Sequence, residues 1–203
     1  FGHCNKRYKL KQKIILVGYP GTGLNTTVKA LELIGAKVWD KPLDVKDGLF
    51  TKSFKKLESK FSSFNVFAGF PFSNHYQSFK QLYGKDCKVI LNVRTPEDWY
   101  SELSTANKSK NSHILDYVFS DMEALKKSQK KKKAIQKYMN HNMDVMDFFA
   151  EKDEDILILE YGKHNNWKRL CEFLGTSIPD QKYPKIKDDF KKSLFSLKSP
   201  LLF

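Results

Sequence analysis

Short apolar runs alternate along this chain with segments whose apolar residues recur every three or four positions, and that alternation predicts the architecture. Ile14, Ile15, Leu16 and Val17 form a continuous aliphatic run, the pattern of a strand in a parallel sheet covered on both faces. Residues 18–23 hold glycines and a proline, and Leu24, Val28, Leu31 and Ile34 follow at helical spacing, with Gly35 placed as a C-cap. A strand, glycine-rich turn and helix in that order leave the first helical amides pointing into the turn, where their partial positive charge can bind an anion. The plain alternative is a tight strand-to-helix connection that holds nothing.

The same reading places short strands at 36–39 and 65–69, a buried one at 88–93 (KVILNV) and a last one at 155–160 (DILILE). Phe50, Phe54, Leu57 and Phe61 have helical spacing, and residues 73–83 read as a helix. Thr95, Pro96, Glu97 and Asp98 make a helix start, with a hydroxyl cap, proline at the first helical position and acids in the first turn; that helix runs through Leu103. Residues 112–150 read as mostly helical in two segments, and 166–174 as a helix ended by Gly175. Trp99 and Tyr100 are expected to pack on the sheet, and Trp167, Leu170, Cys171 and Leu174 to form a core stripe. Strands alternating with helices predict an α/β fold with a three-layer parallel sheet flanked by helices. Ligands in such sheets bind at the carboxyl ends of strands, so the turns after Val17, Ala68, Val93 and Glu160 carry the interest.

Composition narrows the classes. With 203 residues and 40% hydrophobic content the chain supports one buried core. The expected layout is a basic N-terminal segment at 1–12, a single domain at 13–187 and a basic tail or helix at 188–203. Cys4, Cys87 and Cys171 lack the spacing of a zinc site or disulfide framework, which favours a reducing compartment; the five histidines give no metal signature, and no metal is predicted. No apolar run is long enough to cross a bilayer, and the first residues lack a signal-peptide core, although a start at Phe1 fits a trimmed terminus. The net charge of +13 implies attraction for anions, so an acidic partner or nucleic acid is among the partners considered. Its densest block, Lys126, Lys127, Lys130 to Lys133 and Lys137, ordinarily means a solvated helix face. The nearby aromatics Tyr117, Phe119 and Tyr138 prompt a nucleic-acid reading, for which no known motif is present.

The glycine loop does not fit the two commonest phosphate motifs. A nucleoside-triphosphatase loop needs a lysine after its last glycine, and the nearest here, Lys29, is more than a turn into the helix. Gly18, Gly21 and Gly23 also have the wrong spacing for a dinucleotide loop.

The stretch GYPGTGLNTTVKALELIG does resemble the 5′-phosphosulfate loop of sulfotransferases. GFP before a helix, KVILNVRTPEDWY, and DILILEYG followed by WKRLCEFLG, SIP and YP resemble further landmarks of that family in the same order. The resemblance implies a P-loop NTPase-like sulfotransferase fold and a donor, 3′-phosphoadenosine 5′-phosphosulfate (PAPS), leaving as PAP. A sulfuryl group would pass to a hydroxyl or amine of an unknown small-molecule or protein acceptor. It implies a donor site of Pro20, Gly21, Thr22, Gly23, Leu24, Asn25, Thr26 and Thr27, with Arg94 on the 3′-phosphate and Tyr183 and Pro184 nearby. An arginine suits that role because its planar fork holds phosphate oxygens in parallel bonds, although it could instead pair with Glu97 or Asp98.

Three positions depart from the family pattern. Gly21 stands where relatives carry a basic residue, Glu102 where they carry a phosphate-binding serine, and Gly69 where they often carry the acid that takes the acceptor's proton. Ser101 is one residue early, a turn of about 100° on a helix. His75 is the nearest replacement base, ahead of Asp98 and His113, although a single histidine usually serves packing or surface. Two readings therefore compete. One is a sulfotransferase whose missing cation comes from the lysine block; the other is a protein of that fold with impaired chemistry and a nucleotide-binding, structural or protein-interaction role.

Overall fold

The computed structural model describes residues 10–39, 58–70, 72–106, 126–163 and 166–186. Four strands, β1 (Lys13–Leu16), β2 (Val66–Ala68), β3 (Cys87–Val93) and β4 (Ile156–Glu160), form one parallel sheet in the order β2-β1-β3-β4. The described helices are α1 (Leu24–Leu33), α2 (Glu58–Phe61), α3 (Tyr76–Tyr83), α4 (Pro96–Ala106), α5 (Lys127–Phe148) and α6 (Asn166–Leu174).

Alternation along the strands separates two cores. Ile14, Leu16, Ile90, Leu157 and Leu159 face α1 and α6, where Val28, Leu31, Leu170 and Leu174 cover them. Ile15, Val17, Val89 and Leu91 face the other way, onto Phe61, Phe67, Phe72, Phe79 and Phe149. Ile14, Ile15 and Leu16 are fully buried, so β1 is apolar without interruption because both of its faces are covered.

The expected strand at 36–39 is present as one parallel bridge, Val38 to Val66, in which the Val66 N–H donates to the Lys37 carbonyl at 3.0 Å and the Trp39 N–H to the Val66 carbonyl at 2.8 Å, while the Trp39 ring packs edge-on against Phe61 and Phe64 with centres 5.0 Å away. The helix expected at 73–83 begins with a 3₁₀ turn, Phe72–Asn74, and becomes α-helical from Tyr76. Expectations for the helix of Phe50, Phe54 and Leu57, for the first helical segment from 112, for His113, Tyr117 and Phe119, and for the C-terminal tail fall outside the described residues. Among the described residues, no helix is long and apolar enough to cross a membrane.

Strand β1 has β2 on one side and β3 on the other, so the crevice at a topological switch point opens at the carboxyl ends of β1 and β3. A nearly buried ion cluster pins the opposite end. The Asp155 carboxylate meets Lys80 of α3 at 2.6 Å and Lys88 of β3 at 3.6 Å. Replacing it would strand two ammonium groups that are mostly withdrawn from water. Asp155→Asn is expected to cost roughly 3 kcal/mol, the low end for a broken buried pair, as read from urea unfolding.

Candidate functional site

The turn after β1 is shaped by close backbone approach and by side chains that hold its carbonyls. A Cβ at Gly18 would stand 2.5 Å from the Asn92 carbonyl oxygen and 2.7 Å from Thr22 Oγ1, so glycine is required there. Gly21 and Gly23 have φ of 87° and 89°, the left-handed region that favours glycine. The Thr22 hydroxyl donates to the Tyr19 carbonyl at 2.6 Å, Trp99 Nε1 of α4 donates to the Pro20 carbonyl at 2.9 Å, and the Thr27 hydroxyl reaches the Gly23 carbonyl at 3.4 Å. His141 of α5 meets the Val17 carbonyl at 2.6 Å.

With its carbonyls held, the turn presents amides. Gly23 is the N-cap of α1 and no side chain caps that helix, so the first-turn N–H groups of Leu24, Asn25 and Thr26 have no intrahelical acceptor. The arrangement is complementary to a phosphate or another oxyanion. The threonine side chains are committed elsewhere. Thr26 Oγ1 exchanges hydrogen bonds of 3.0 and 3.1 Å with the backbone of Ile186, and Thr27 Oγ1 accepts from Asn92 Nδ2 at 2.8 Å. Binding by backbone amides thus fits the structure better than binding by the hydroxyls of Thr22, Thr26 or Thr27.

Arg94 follows β3 and is fixed at its backbone by Tyr138, whose hydroxyl accepts from the Arg94 N–H and donates to the Arg94 carbonyl, both at 2.9 Å. Tyr138 also stacks on Trp99 with centres 4.4 Å apart, so it belongs to the core and cannot serve as an exposed platform for bases. The guanidinium lies 3.8 Å over the Tyr161 ring, and Nη1 pairs with Glu102 at 3.0 Å. Among the described residues its Nε has no partner. The sequence suggested Glu97 or Asp98 as the alternative partner. Asp98 instead accepts from the Thr95 hydroxyl at 2.6 Å and returns its own N–H at 3.3 Å, completing the expected helix cap. Glu102, about one turn further along α4, reaches the arginine. Ser101, one residue before Glu102, is exposed.

Tyr161 borders two cavities. One, of about 460 Å³, is lined by Arg94, Asp98, Ser101, Glu102 and Glu160 among others. The second, of about 550 Å³, is lined by Thr22, Thr26, Asn92, Tyr183 and Lys185 among others. The Asn92 Oδ1 in its wall has no partner among the described residues. Burial pushes the Tyr183 phenol up to about 12, so it remains protonated.

His75, the sequence candidate for a base, is the N-cap of α3 and half-buried, and burial lowers its pKa. The sequence reading missed His141, whose ring packs 4.6 Å from Tyr19. A carbonyl can only accept, so the neutral His141 carries its proton on Nε2. Burial pushes its pKa below the ordinary 6.5, against weaker upward pulls from the Val17 carbonyl and Asp144. A signal for it existed, because Ala134, Tyr138, His141 and Val145 share one face of a helix. Asn92 could be noticed as the polar residue inside KVILNV, and Tyr161 as the first residue past the last strand.

The lysines at 126, 127 and 131–133 are exposed on α5, while Ala134, Tyr138 and Val145 of the same helix are buried. Cys87 and Cys171 are buried free thiols, and among the described residues no group of three or more His, Cys, Asp or Glu side chains is placed to hold a metal.

A family model described as a sulfotransferase domain matches residues 13–191, and no curated protein matches the chain.

Two outcomes follow from this geometry. His141 binds its proton more weakly when folded, so stability is fully present above about pH 6.5 and falls as acid protonates the unfolded chain preferentially. The fall in urea-unfolding stability from pH 7 to pH 5 should be smaller in His141→Gln, which has a side-chain amide donor but no proton to gain. Gly21→Arg, which returns a cation to the loop, forces a side chain onto φ 87° and should lower stability by about 1–2 kcal/mol in the same assay.

Proposed function

The chain belongs to the sulfotransferase domain family, and from that premise we propose that its β1–α1 loop binds the 5′-phosphate of a nucleotide sulfuryl donor, from which the group passes to a hydroxyl or amine. The observation that carries this reading is the uncapped start of α1, with three first-turn amides facing the carboxyl ends of β1 and β3 while side chains hold the loop's carbonyls.

Sulfotransferases generally use PAPS, which supplies the activated sulfuryl group. The loop suits its 5′-phosphate. The region around Arg94 does not suit its 3′-phosphate, because the Glu102 carboxylate pairs with the guanidinium at Nη1 and would repel the phosphate. The chain's own residues would bind and orient the donor: the amides of Leu24, Asn25 and Thr26 at the phosphate, and Trp99 by fixing the Pro20 carbonyl. The cation missing at Gly21 would come from α5, which packs on the loop through Tyr138 and His141 and carries the lysine block. His75 stays in this reading as the acceptor-side base, and its lowered pKa would keep it unprotonated at neutral pH.

A second reading, nucleotide binding with impaired transfer, is favoured by the bare Gly21 position and the Arg94–Glu102 pair. Losing one electrostatic donor to a transition state slows reactions by roughly a hundred- to a thousandfold.

Titration calorimetry with adenosine 5′-monophosphate, together with transfer from radiolabelled PAPS and from radiolabelled adenosine 5′-phosphosulfate to a broad panel of hydroxyl and amine acceptors, tests both. Binding is expected, and Asn25→Pro, which deletes one first-turn N–H at a position where helices tolerate proline, should weaken it by about tenfold or more. Binding with transfer supports the enzyme, and binding without transfer supports the second reading. If neither the monophosphate nor adenosine 3′,5′-bisphosphate binds, the nucleotide site is refuted.

A further inference from the structure

The cavity beside Arg94 has the wrong charge for a second phosphate. In a protein of net charge +13, its ionisable lining is Arg94 and Lys163 against Asp98, Glu102 and Glu160. Both cations are engaged by carboxylates, Arg94 by Glu102 and Lys163 by Glu160, each at 3.0 Å. The Arg94 side chain is 9% exposed and that of Glu102 is 32% exposed, so this pair lies at the cavity wall and is partly shielded from water. A dianion placed there would meet a neutralised arginine and an excess of negative charge, and repulsion between such groups grows as water is excluded.

The hydrogen-bonding capacity of the wall favours a different group. Glu102 and Asp98 supply acceptor oxygens, while the pair with Glu102 engages Arg94 through Nη1 and the buried Nε has no partner among the described residues. A hydroxyl is both donor and acceptor, and a phosphate at neutral pH is chiefly an acceptor. Carboxylates at the carboxyl ends of parallel strands hold ribose hydroxyls in other nucleotide sites by the same chemistry.

We propose that this cavity receives an unphosphorylated ribose, so that the nucleotide bound by the chain is a nucleoside 5′-phosphate or 5′-phosphosulfate with free 2′- and 3′-hydroxyls, selected by Glu102. The inference rests on the proposed nucleotide reading of the β1–α1 loop and specifies the other end of that ligand. Glu102 acts as a specificity residue: it rejects a 3′-phosphate by charge and accepts a hydroxyl by hydrogen bonding.

Calorimetric titration of the native chain, Glu102→Ser and Glu102→Gln with adenosine 5′-monophosphate and with adenosine 3′,5′-bisphosphate tests the proposal. The native chain should bind the monophosphate at least as tightly as the bisphosphate. Both variants, which release Arg94 from its carboxylate, should shift the ratio toward the bisphosphate by about tenfold or more. Glutamine preserves the shape of the side chain, so a shift in both variants identifies charge as the cause. A native chain that prefers the bisphosphate tenfold or more overturns the proposal while leaving the loop reading intact, and an unchanged ratio in both variants also overturns it. If neither nucleotide binds the native chain, the loop reading fails and this inference fails with it.

Discussion

The β1–α1 turn depends on four carbonyls held from different parts of the molecule. Val17 is met by His141, Tyr19 by Thr22, Pro20 by Trp99 and Gly23 by Thr27. A peptide's carbonyl and N–H point in opposite directions, so holding the Val17, Pro20 and Gly23 carbonyls turns the N–H groups of Gly18, Gly21 and Leu24 the other way, whereas the Tyr19–Pro20 peptide has no N–H to present. Trp99 and His141 belong to helices α4 and α5, and the stacked pair of Trp99 and Tyr138 joins those helices beside the loop. The aromatic cluster therefore does more than fill volume. It carries the donors that give the loop its polarity, and through Tyr138 it also fixes the backbone of Arg94.

Charge is distributed unevenly over this framework. Much of the densest lysine block, at 126, 127 and 131–133, is exposed on α5. Inside the crevice, the loop offers partial positive charge from amides, while the ionisable lining of the Arg94 cavity, with Arg94 and Lys163 against Asp98, Glu102 and Glu160, leans acidic. The overall basicity of the chain thus says little about what its crevice selects. Local pairing decides that, and the crevice has one end suited to an anion and another suited to a polar neutral group.

The strands were legible where burial on both faces made them uniformly apolar. Residues 88–93 and 155–160 matched β3 and β4 to within a residue, and residues 166–174 matched α6. At 36–39 the pairing is shorter than the pattern suggests, a single bridge beside β2 whose last backbone bond comes from Trp39. The glycines and strand ends that mark the candidate site are local signals, and the sequence shows them directly. The state of Arg94 is not among them. The charge of Glu102 was visible in the sequence, but whether its side chain faces the arginine depends on where α4 lies against β3. His141 was missed for a similar reason: its partner is a backbone carbonyl, which has no signature in the sequence.

The contact between Thr26 and Ile186 spans 160 positions, and that between His141 and Val17 spans 124. Such distant closures are entropically costly and form after local ones. A chain synthesised from its amino terminus makes the glycine turn before α5 and the residues near 186 that fix its shape. The motif is therefore complete in sequence before it is complete in structure, and a product truncated ahead of α5 would retain every glycine of the turn without the contacts of His141 and Ile186.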